Sequence, residues 1–308
     1  MAYRHATRFR FVALVLAALA AAAVLAATPA ATPGSRAWSD DLAAWRAKAD
    51  KSLRRDNGWL TLVGRHVLRY GPNRVGSASD NDVVIDAAIA PPRLGTVHVG
   101  ERHVRLELVP GVTMHAADDD ARTFATVALT TDPESAGWVS RGRLSLQVIR
   151  RDDGQAILRV ADNASAHRAS FAGRVWFDPR PALALSATFT PYAKGTKITI
   201  ANVLNEISQE DAAGNIAFTL DGKRHSLDAV DDGGNLFIIF RDGTSSDATY
   251  PPGRFLYLER PKDGVWTIDF NRAYNPPCAF SAYTSCPLPP SQNVLAPRIE
   301  AGERFRAH

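Results

Sequence analysis

The spacing of apolar residues divides the chain into one helix and a long region of strands. Between Trp38 and Arg55, Leu42, Trp45, Ala49 and Leu53 recur at three- and four-residue intervals among charged residues. This spacing predicts one amphipathic helix whose apolar face packs against the rest of the protein. From Gly58 onward the period changes to two, which predicts β-strands.

Four dipeptides suited to tight hairpin turns interrupt the alternating runs. They are Gly100-Glu101, Asp153-Gly154, Asp221-Gly222 and Asp263-Gly264. Repeated hairpins without intervening helices predict a mostly β, antiparallel fold. We expect a sandwich and/or a partly open barrel with one N-terminal amphipathic helix.

The pattern also suggests how the chain is divided. Residues 1–31 are predicted to be a signal peptide, and residues 32–56 a linker with the N-terminal helix. Prolines and small residues interrupt the strand pattern between Asp162 and Pro191. We therefore predict one sandwich-like β region over residues 57–175 and a second β region over residues 176–308.

The N-terminus has the composition of a secretory signal peptide. Three arginines precede an apolar run from Phe11 to Ala27, and small residues follow around Ala26–Ala31. This order predicts export to the periplasm or the extracellular space, with no stable membrane insertion after cleavage. The alternative is an uncleaved membrane anchor, because the run approaches the ~18 apolar residues of a spanning helix.

Net charge adds little to this picture. The formal charge of +4 comes partly from the N-terminal arginines, and no basic stripe is interleaved with aromatic residues. Nucleic acid is therefore not an expected partner.

The densest group of polar and aromatic residues lies between Arg254 and Pro290. A two-residue turn at Asp263-Gly264 would pair Leu258 with Asp269 and Leu256 with Asn271, and place Arg254 on their polar face. We predict a site for a small polar molecule there, with these candidate ligand-binding residues: Arg254, Tyr257, Asp269, Asn271, Tyr274 and Asn275. The alternative is structural, with an Arg254–Asp269 ion pair and asparagines that bond loop backbone.

The two cysteines of the chain lie in the same stretch. In an oxidising compartment, Cys278 and Cys286 are expected to form a disulfide that closes a short loop. The alternative is that Cys278 is a nucleophile, which requires a base such as His66 or His225 to approach in the fold.

Several familiar sites are not predicted. The sequence has no G-x-S-x-G, H-E-x-x-H, G-x-x-x-x-G-K-[ST] or G-x-G-x-x-G motif. His98 and His103 lack zinc-type spacing, and the run containing Asp80, Asp82 and Asp86 lacks the glycine and glutamate of a calcium loop. We predict neither a metal nor a cofactor.

Five motifs together resemble one family of bacterial and archaeal proteins, catalogued as domain of unknown function 1684. The motifs are GWLTLVG at Gly58–Gly64, NRVGSASDNDVVI from Asn73, TPYAKGTKITIANVLNE at Thr190–Glu206, FRDGTSSDATYPPGRFLY at Phe240–Tyr257 and DFNRAYNPPCAFSAYTSCPLPP at Asp269–Pro290. The resemblance supports the choice of site but implies no reaction.

A second resemblance is local. Residues Asn73–Val97 resemble the central strands and loops of forkhead-associated domains, which are β-sandwiches that bind phosphothreonine peptides. Ser77 stands where that family has arginine, and Pro91–Leu94 replaces its Ser-x-x-His element. The resemblance implies a sandwich for this region but not phosphopeptide binding.

The sequence therefore predicts an exported protein that binds, or even hydrolyses, a small polar ligand. The alternative is a noncatalytic interaction module associated with the cell envelope, because the chain contains none of the catalytic motifs above. The residues do not decide whether the protein is an enzyme.

Overall fold

The alternating pattern after Gly58 forms eighteen strands in the part of the chain that the structure describes. The structure is a computed structural model that describes residues 31–116, 119–131, 136–151, 153–261 and 264–306. The predicted signal peptide lies outside the described residues except for Ala31. The mostly β, antiparallel fold class is confirmed.

The strands fall into two groups along the chain. Those of the N-terminal half are β1 Leu62–Val67, β2 Gly71–Gly76, β3 Val83–Val84, β4 Gly95–Val99, β5 Val104–Leu108, β6 Met114–Ala116, β7 Asp119–Phe124, β8 Thr126–Leu129, β9 Val139–Arg141, β10 Leu144–Arg150 and β11 Ala156–Asp162. Those of the C-terminal half are β12 Ala184–Pro191, β13 Lys197–Ala201, β14 Ile207–Leu220, β15 Lys223–Asp232, β16 Asn235–Phe240, β17 Arg254–Leu258 and β18 Trp266–Asp269.

The predicted N-terminal helix is confirmed as α1, Arg36–Leu53. Ser35 caps it, since its Oγ accepts a hydrogen bond from the backbone N of Trp38 at 3.2 Å. The helix buries Trp38, Leu42 and Leu53. Neither α1 nor the short α2, Ala166–Ser170, combines the length and apolar character needed to span a membrane, and the described residues form no other α-helix.

Two sheets of the N-terminal half share one apolar core. One sheet has the order β3-β2-β4-β5-β8, and the other has the order β1-β11-β10-β9-β6-β7. Alternate residues of β5, such as Val104 and Leu106, are buried together with Leu146 and Leu158 of the second sheet. The predicted Gly100-Glu101 hairpin is confirmed, because Val99 pairs with Val104.

The C-terminal half is a barrel-like sheet of seven strands. Its order is β17-β16-β15-β14-β12-β18, with β13 paired to β14. Ile216, Ile238 and Phe270 are fully buried in its core. The predicted turn at Asp221-Gly222 joins β14 to β15, and both residues have positive φ (50° and 74°), as a type I′ turn requires.

The predicted hairpin between β17 and β18 does not form. Arg254 in β17 pairs with Phe240 of β16, and Asp269 in β18 pairs with Ala184 of β12. The two strands occupy opposite ends of the strand order, so the pairings of Leu258 with Asp269 and of Leu256 with Asn271 were wrong. Asp263 of the predicted turn lies outside the described residues.

Residues Ala31–His308 form one compact unit. Contacts connect its two halves: Arg151 forms an ion pair with Glu206, and His167 Nε2 donates a hydrogen bond to Phe280 O at 2.7 Å. The predicted division at residues 175 and 176 stays a prediction.

Candidate functional site

Arg254 lies in a buried polar network at the start of β17. Its side chain is 1% exposed, and its Nη2 donates to Asp242 Oδ2 at 2.7 Å and to Ile299 O at 3.1 Å. Nη1 donates to Ala301 O. The predicted Arg254–Asp269 ion pair is therefore replaced by an Arg254–Asp242 pair.

Hydroxyl groups complete the environment of Asp242. Its Oδ1 accepts hydrogen bonds from the backbone N and the hydroxyl of Thr244, whose Oγ1 lies 2.9 Å from Thr249 Oγ1. The segment containing Thr244 thus satisfies a buried carboxylate. These contacts give Arg254 and Asp242 a structural role.

Asp269 and Asn271 connect the barrel to neighbouring segments. Asp269 Oδ2 accepts from Trp38 Nε1 at 2.9 Å, and its Oδ1 accepts from Asn271 Nδ2 at 2.8 Å. Asn271 is fully buried, and its side chain bonds both the N and the O of Arg180, at 2.7 and 2.9 Å. Both side chains thus hold backbone and α1 in place.

A second buried polar group surrounds Glu303. Arg174 Nη1 lies 2.5 Å from Glu303 Oε2, which also accepts from the backbone N of Asn275 at 2.8 Å. Asn275 Nδ2 donates to Arg304 O at 2.9 Å. We call Arg174, Asn275 and Glu303 the Glu303 centre.

Two atoms of the Glu303 centre are buried without a hydrogen-bond partner among the described residues. They are Arg174 Nε, a donor, and Asn275 Oδ1, an acceptor. Buried polar atoms are nearly always paired, because leaving one unpaired costs about 1–3 kcal/mol. Arg174 Nε can therefore donate one hydrogen bond to another molecule, and Asn275 Oδ1 can accept one.

Burial also changes the acidity of Glu303. The carboxyl is 1% exposed, and loss of solvation raises its pKa to about 7, while the positive charges of Arg174 and Arg254 oppose the increase. Its proton is therefore exchangeable near neutral pH, as suits a carboxyl group in general acid–base chemistry.

Aromatic rings lie beside the Glu303 centre. Trp176 pairs with Glu303 through the backbone, and its ring lies 5.5 Å from that of Trp45. The ring of Tyr274 lies 6.3 Å from Trp45, also edge to face. Burial raises the pKa of Tyr274 to about 12, so its hydroxyl stays protonated at neutral pH. Of the six predicted ligand-binding residues, Asn275 thus belongs to the Glu303 centre, and Tyr274 precedes it in the chain.

Tyr257 lies apart from that centre. Its side chain is 38% exposed, and its hydroxyl accepts a hydrogen bond from Asn235 Nδ2 at 3.0 Å. The six predicted residues consequently occupy different environments: Asp269 and Asn271 bond to each other, but the structure does not bring all six to one site.

The predicted disulfide between Cys278 and Cys286 is present. The Cα atoms are 6.0 Å apart, within the usual range for a disulfide. The bond leaves Cys278 without a thiol, which contradicts the alternative of a catalytic nucleophile.

The acidic run in the N-terminal half forms ion pairs. Asp82 interacts with Arg69 at 2.5 Å and with Arg74 at 3.1 Å, and Asp80 pairs with Arg93. Hydrogen bonds from the backbone and side chain of Arg74 lower the pKa of Asp82 to about 2. Among the residues that the structure describes, no cluster of His, Cys, Asp and Glu has the form of a metal site.

Arg174 and Glu303 were not predicted as site residues. Arg174 lies just before the predicted division between the halves, and Glu303 lies near the end of the chain, 129 positions away. Neither residue belongs to a local motif that indicates a site.

Comparison with known proteins identifies the family. Residues 169–304 match the family described as "Protein of unknown function (DUF1684)". The chain belongs to the DUF1684 family. The matched segment contains the Glu303 centre and the disulfide, whereas the motifs at Gly58–Gly64 and from Asn73 lie outside it. The forkhead-associated resemblance also lies outside it and is unconfirmed.

One solved structure is similar in sequence to this DUF1684 protein. It is the solution NMR structure of an uncharacterised protein of Haloarcula marismortui, with 36% identity over 45% of this chain and 80% of that one. The TM-score of 0.38 is too low to relate the two folds. None of the curated proteins matches the chain.

Proposed function

We propose that this DUF1684 protein binds a small polar ligand at the Glu303 centre. The observation that carries the proposal is the pair of buried, unpartnered atoms on side chains of one centre, Arg174 Nε and Asn275 Oδ1. A hydroxyl or amide group of a ligand offers the acceptor and the donor that these atoms lack.

The surroundings support a ligand rather than a purely structural network. Around Arg254, the buried donors and acceptors are paired, and Asp242 accepts hydrogen bonds from Arg254 and from the backbone N and the hydroxyl of Thr244. At the Glu303 centre, the corresponding pairing is incomplete, and the guanidinium of Arg174 lies 4.8 Å from the centre of the Phe280 ring. Apolar walls with a few converging polar groups are typical of small-ligand sites.

Thermal unfolding with small polar compounds tests the proposal. We would measure Tm with acetamide, glycine, lactate or inorganic phosphate, and expect at least one compound to raise it. A ligand at one hundred times its Kd stabilises a protein by about 2.7 kcal/mol. Asn275→Ala and Arg174→Lys should abolish the increase, since each removes one of the two unpartnered atoms.

Thr249→Ala is the matched control, because it alters the buried network around Arg254 but not the Glu303 centre. It should lower Tm and leave the ligand-induced increase intact. If no compound raises Tm, or if both centre variants respond like the wild type, the proposal is wrong and a bound water is the better explanation of the unpartnered atoms.

Export of the protein is also part of the proposal. An exported protein is expected from the N-terminal sequence, and its disulfide is suited to an oxidising compartment. Hydrolysis of the ligand and the alternative of a noncatalytic interaction module both stay predictions from the sequence.

A further inference from the structure

A groove on the C-terminal half lies apart from the Glu303 centre. It has a volume of about 460 Å³, within the range of small-ligand sites. Its walls come from strands β13, β14 and β15, from the residue that follows β12 and from the turn Ser291–Asn293. We call it the Tyr192 groove, and its lining includes Tyr192, Lys197, Ile198, Ala212, Asp228 and Gln292.

Asp228 is the best-fixed polar group of the Tyr192 groove. Its backbone N donates to Asn293 Oδ1 at 2.7 Å, and its backbone O accepts from Asn293 Nδ2 at 2.8 Å. Its side chain accepts from Tyr192 Oη at 2.7 Å, from Asn215 Nδ2 at 2.8 Å and from Gln292 Nε2 at 3.0 Å. The carboxylate is thus held in position before any ligand binds.

The carboxylate still has capacity for one more hydrogen bond. A carboxylate has about four lone-pair sites, and the three donors above use three of them, two on Oδ1 and one on Oδ2. Gln292 Nε2 carries a second hydrogen besides the one directed at Asp228. The groove therefore presents an acceptor and a donor side by side.

Apart from Thr199 and Ser291, the rest of the lining is apolar or balanced in charge. Tyr192 is 37% exposed, and Ile198 and Ala212 add apolar surface. Lys197 forms an ion pair with Asp211 at 2.7 Å, so the charge of the lysine is offset. Burial and the hydrogen bond to Asp228 raise the pKa of Tyr192 to about 12, which keeps its hydroxyl a donor.

We infer that the Tyr192 groove binds a neutral saccharide, with the sugar ring against Tyr192 and its hydroxyl groups bonded to Asp228 and Gln292. A sugar has an apolar ring face and hydroxyl groups that both donate and accept, which matches an aromatic ring beside a fixed acceptor and donor. A small anion fits poorly, because the carboxylate of Asp228 repels it.

Saturation-transfer NMR with the full chain tests this inference. The neutral probes are glucose, N-acetylglucosamine and cellobiose, and acetate is the anionic probe. We expect saturation transfer from the groove to at least one sugar and none from the groove to acetate. Asp228→Asn removes a charged acceptor, so it should weaken sugar binding by about tenfold or more.

Tyr192→Ala should abolish sugar binding, while Tyr70→Ala should not change it. Tyr70 is 73% exposed and lies in the N-terminal half, so it controls for the loss of a surface tyrosine. No transfer to any of the three sugars, unchanged transfer in Tyr192→Ala, or competition by acetate would overturn the inference.

The test of the Tyr192 groove can be distinguished from the test of the Glu303 centre. Arg174→Lys and Asn275→Ala should leave sugar binding unchanged, because neither residue lines the Tyr192 groove. Loss of sugar binding in both would show instead that the sugar occupies the Glu303 centre.

Discussion

Arg254 shows how burial determines the role of a single side chain. The sequence pattern predicts that it lies on a polar face of a hairpin, whereas the structure encloses it between Asp242 and the carbonyl groups of Ile299 and Ala301. Its guanidinium also lies 5.2 Å from the centre of the Phe240 ring. A buried charge needs such partners, because removing one partner leaves the other unpaired away from water.

We expect Arg254→Ala to lower the free energy of unfolding by about 3–5 kcal/mol, because it leaves Asp242 as an unpaired buried charge. Chemical denaturation measures the change. Arg36→Ala is the control: Arg36 is 95% exposed in its ion pair with Asp40, so the cost should stay below about 1 kcal/mol. Unchanged stability in Arg254→Ala would contradict the structural role.

Glu303 makes a specific contribution to the pH dependence of stability. Its pKa is raised from 4.5 to about 7, so the folded protein binds this proton more tightly than the unfolded chain. The contribution to stability is therefore complete below about pH 4.5 and is lost as the pH rises to about 7. Arg174 and Arg254 face the carboxyl and limit the effect.

We expect Glu303→Gln to remove this component, which is at most about 3 kcal/mol. Urea denaturation of both proteins at several pH values between about 4.5 and 8 measures it. The wild type should lose more stability than the variant over that interval. Parallel pH profiles would show that Glu303 titrates at its ordinary pKa in the folded protein.

At the scale of elements, the disulfide holds a segment that contributes no long strand. Cys278 belongs to the short 3-10 turn Pro277–Ala279, and Cys286 precedes a segment attached to β13. Val203 N donates to Cys286 O at 3.1 Å, and Leu288 N donates to Ala201 O at 2.7 Å. The bond thus connects the loop after β18 to the barrel-like sheet.

Replacing both cysteines by serine should lower the free energy of unfolding by about 2.5 kcal/mol, because a loop of this length loses its constraint in the unfolded chain. Thermal and urea unfolding measure the loss. Reducing the wild-type disulfide should give a similar decrease, which controls for the serine hydroxyl groups. Equal stability of the oxidised and reduced proteins would contradict the expectation.

At the scale of the whole molecule, we expect the N-terminal segment to direct export. A chain expressed with its own N-terminus in a bacterial host should be cleaved after one of the small residues Ala26–Ala31. Intact mass of the periplasmic or secreted protein measures the cleavage, and alkylation should find no free thiol. A full-length chain in the membrane fraction would instead support the anchor alternative.

The sequence by itself determined the types of element and their order. Each period depends only on residues that are close in sequence, so a short stretch of the chain is enough to detect it. This holds for the three- and four-residue spacing at α1 and for the period of two after Gly58. The turn at Asp221-Gly222 was predictable for the same reason, because its positive φ angles are a local requirement. The cysteine pair was predictable because the chain contains no other cysteine.

Only the tertiary structure decided which strands and side chains meet. The alternation in β17 and β18 suits a hairpin, but β17 pairs with β16 and β18 with β12, so the two strands lie at opposite ends of the strand order. Arg174 and Glu303 are 129 positions apart, and no local pattern relates them. Their contact, and hence the candidate site, depends on burial and long-range packing, which spacing along the chain does not encode.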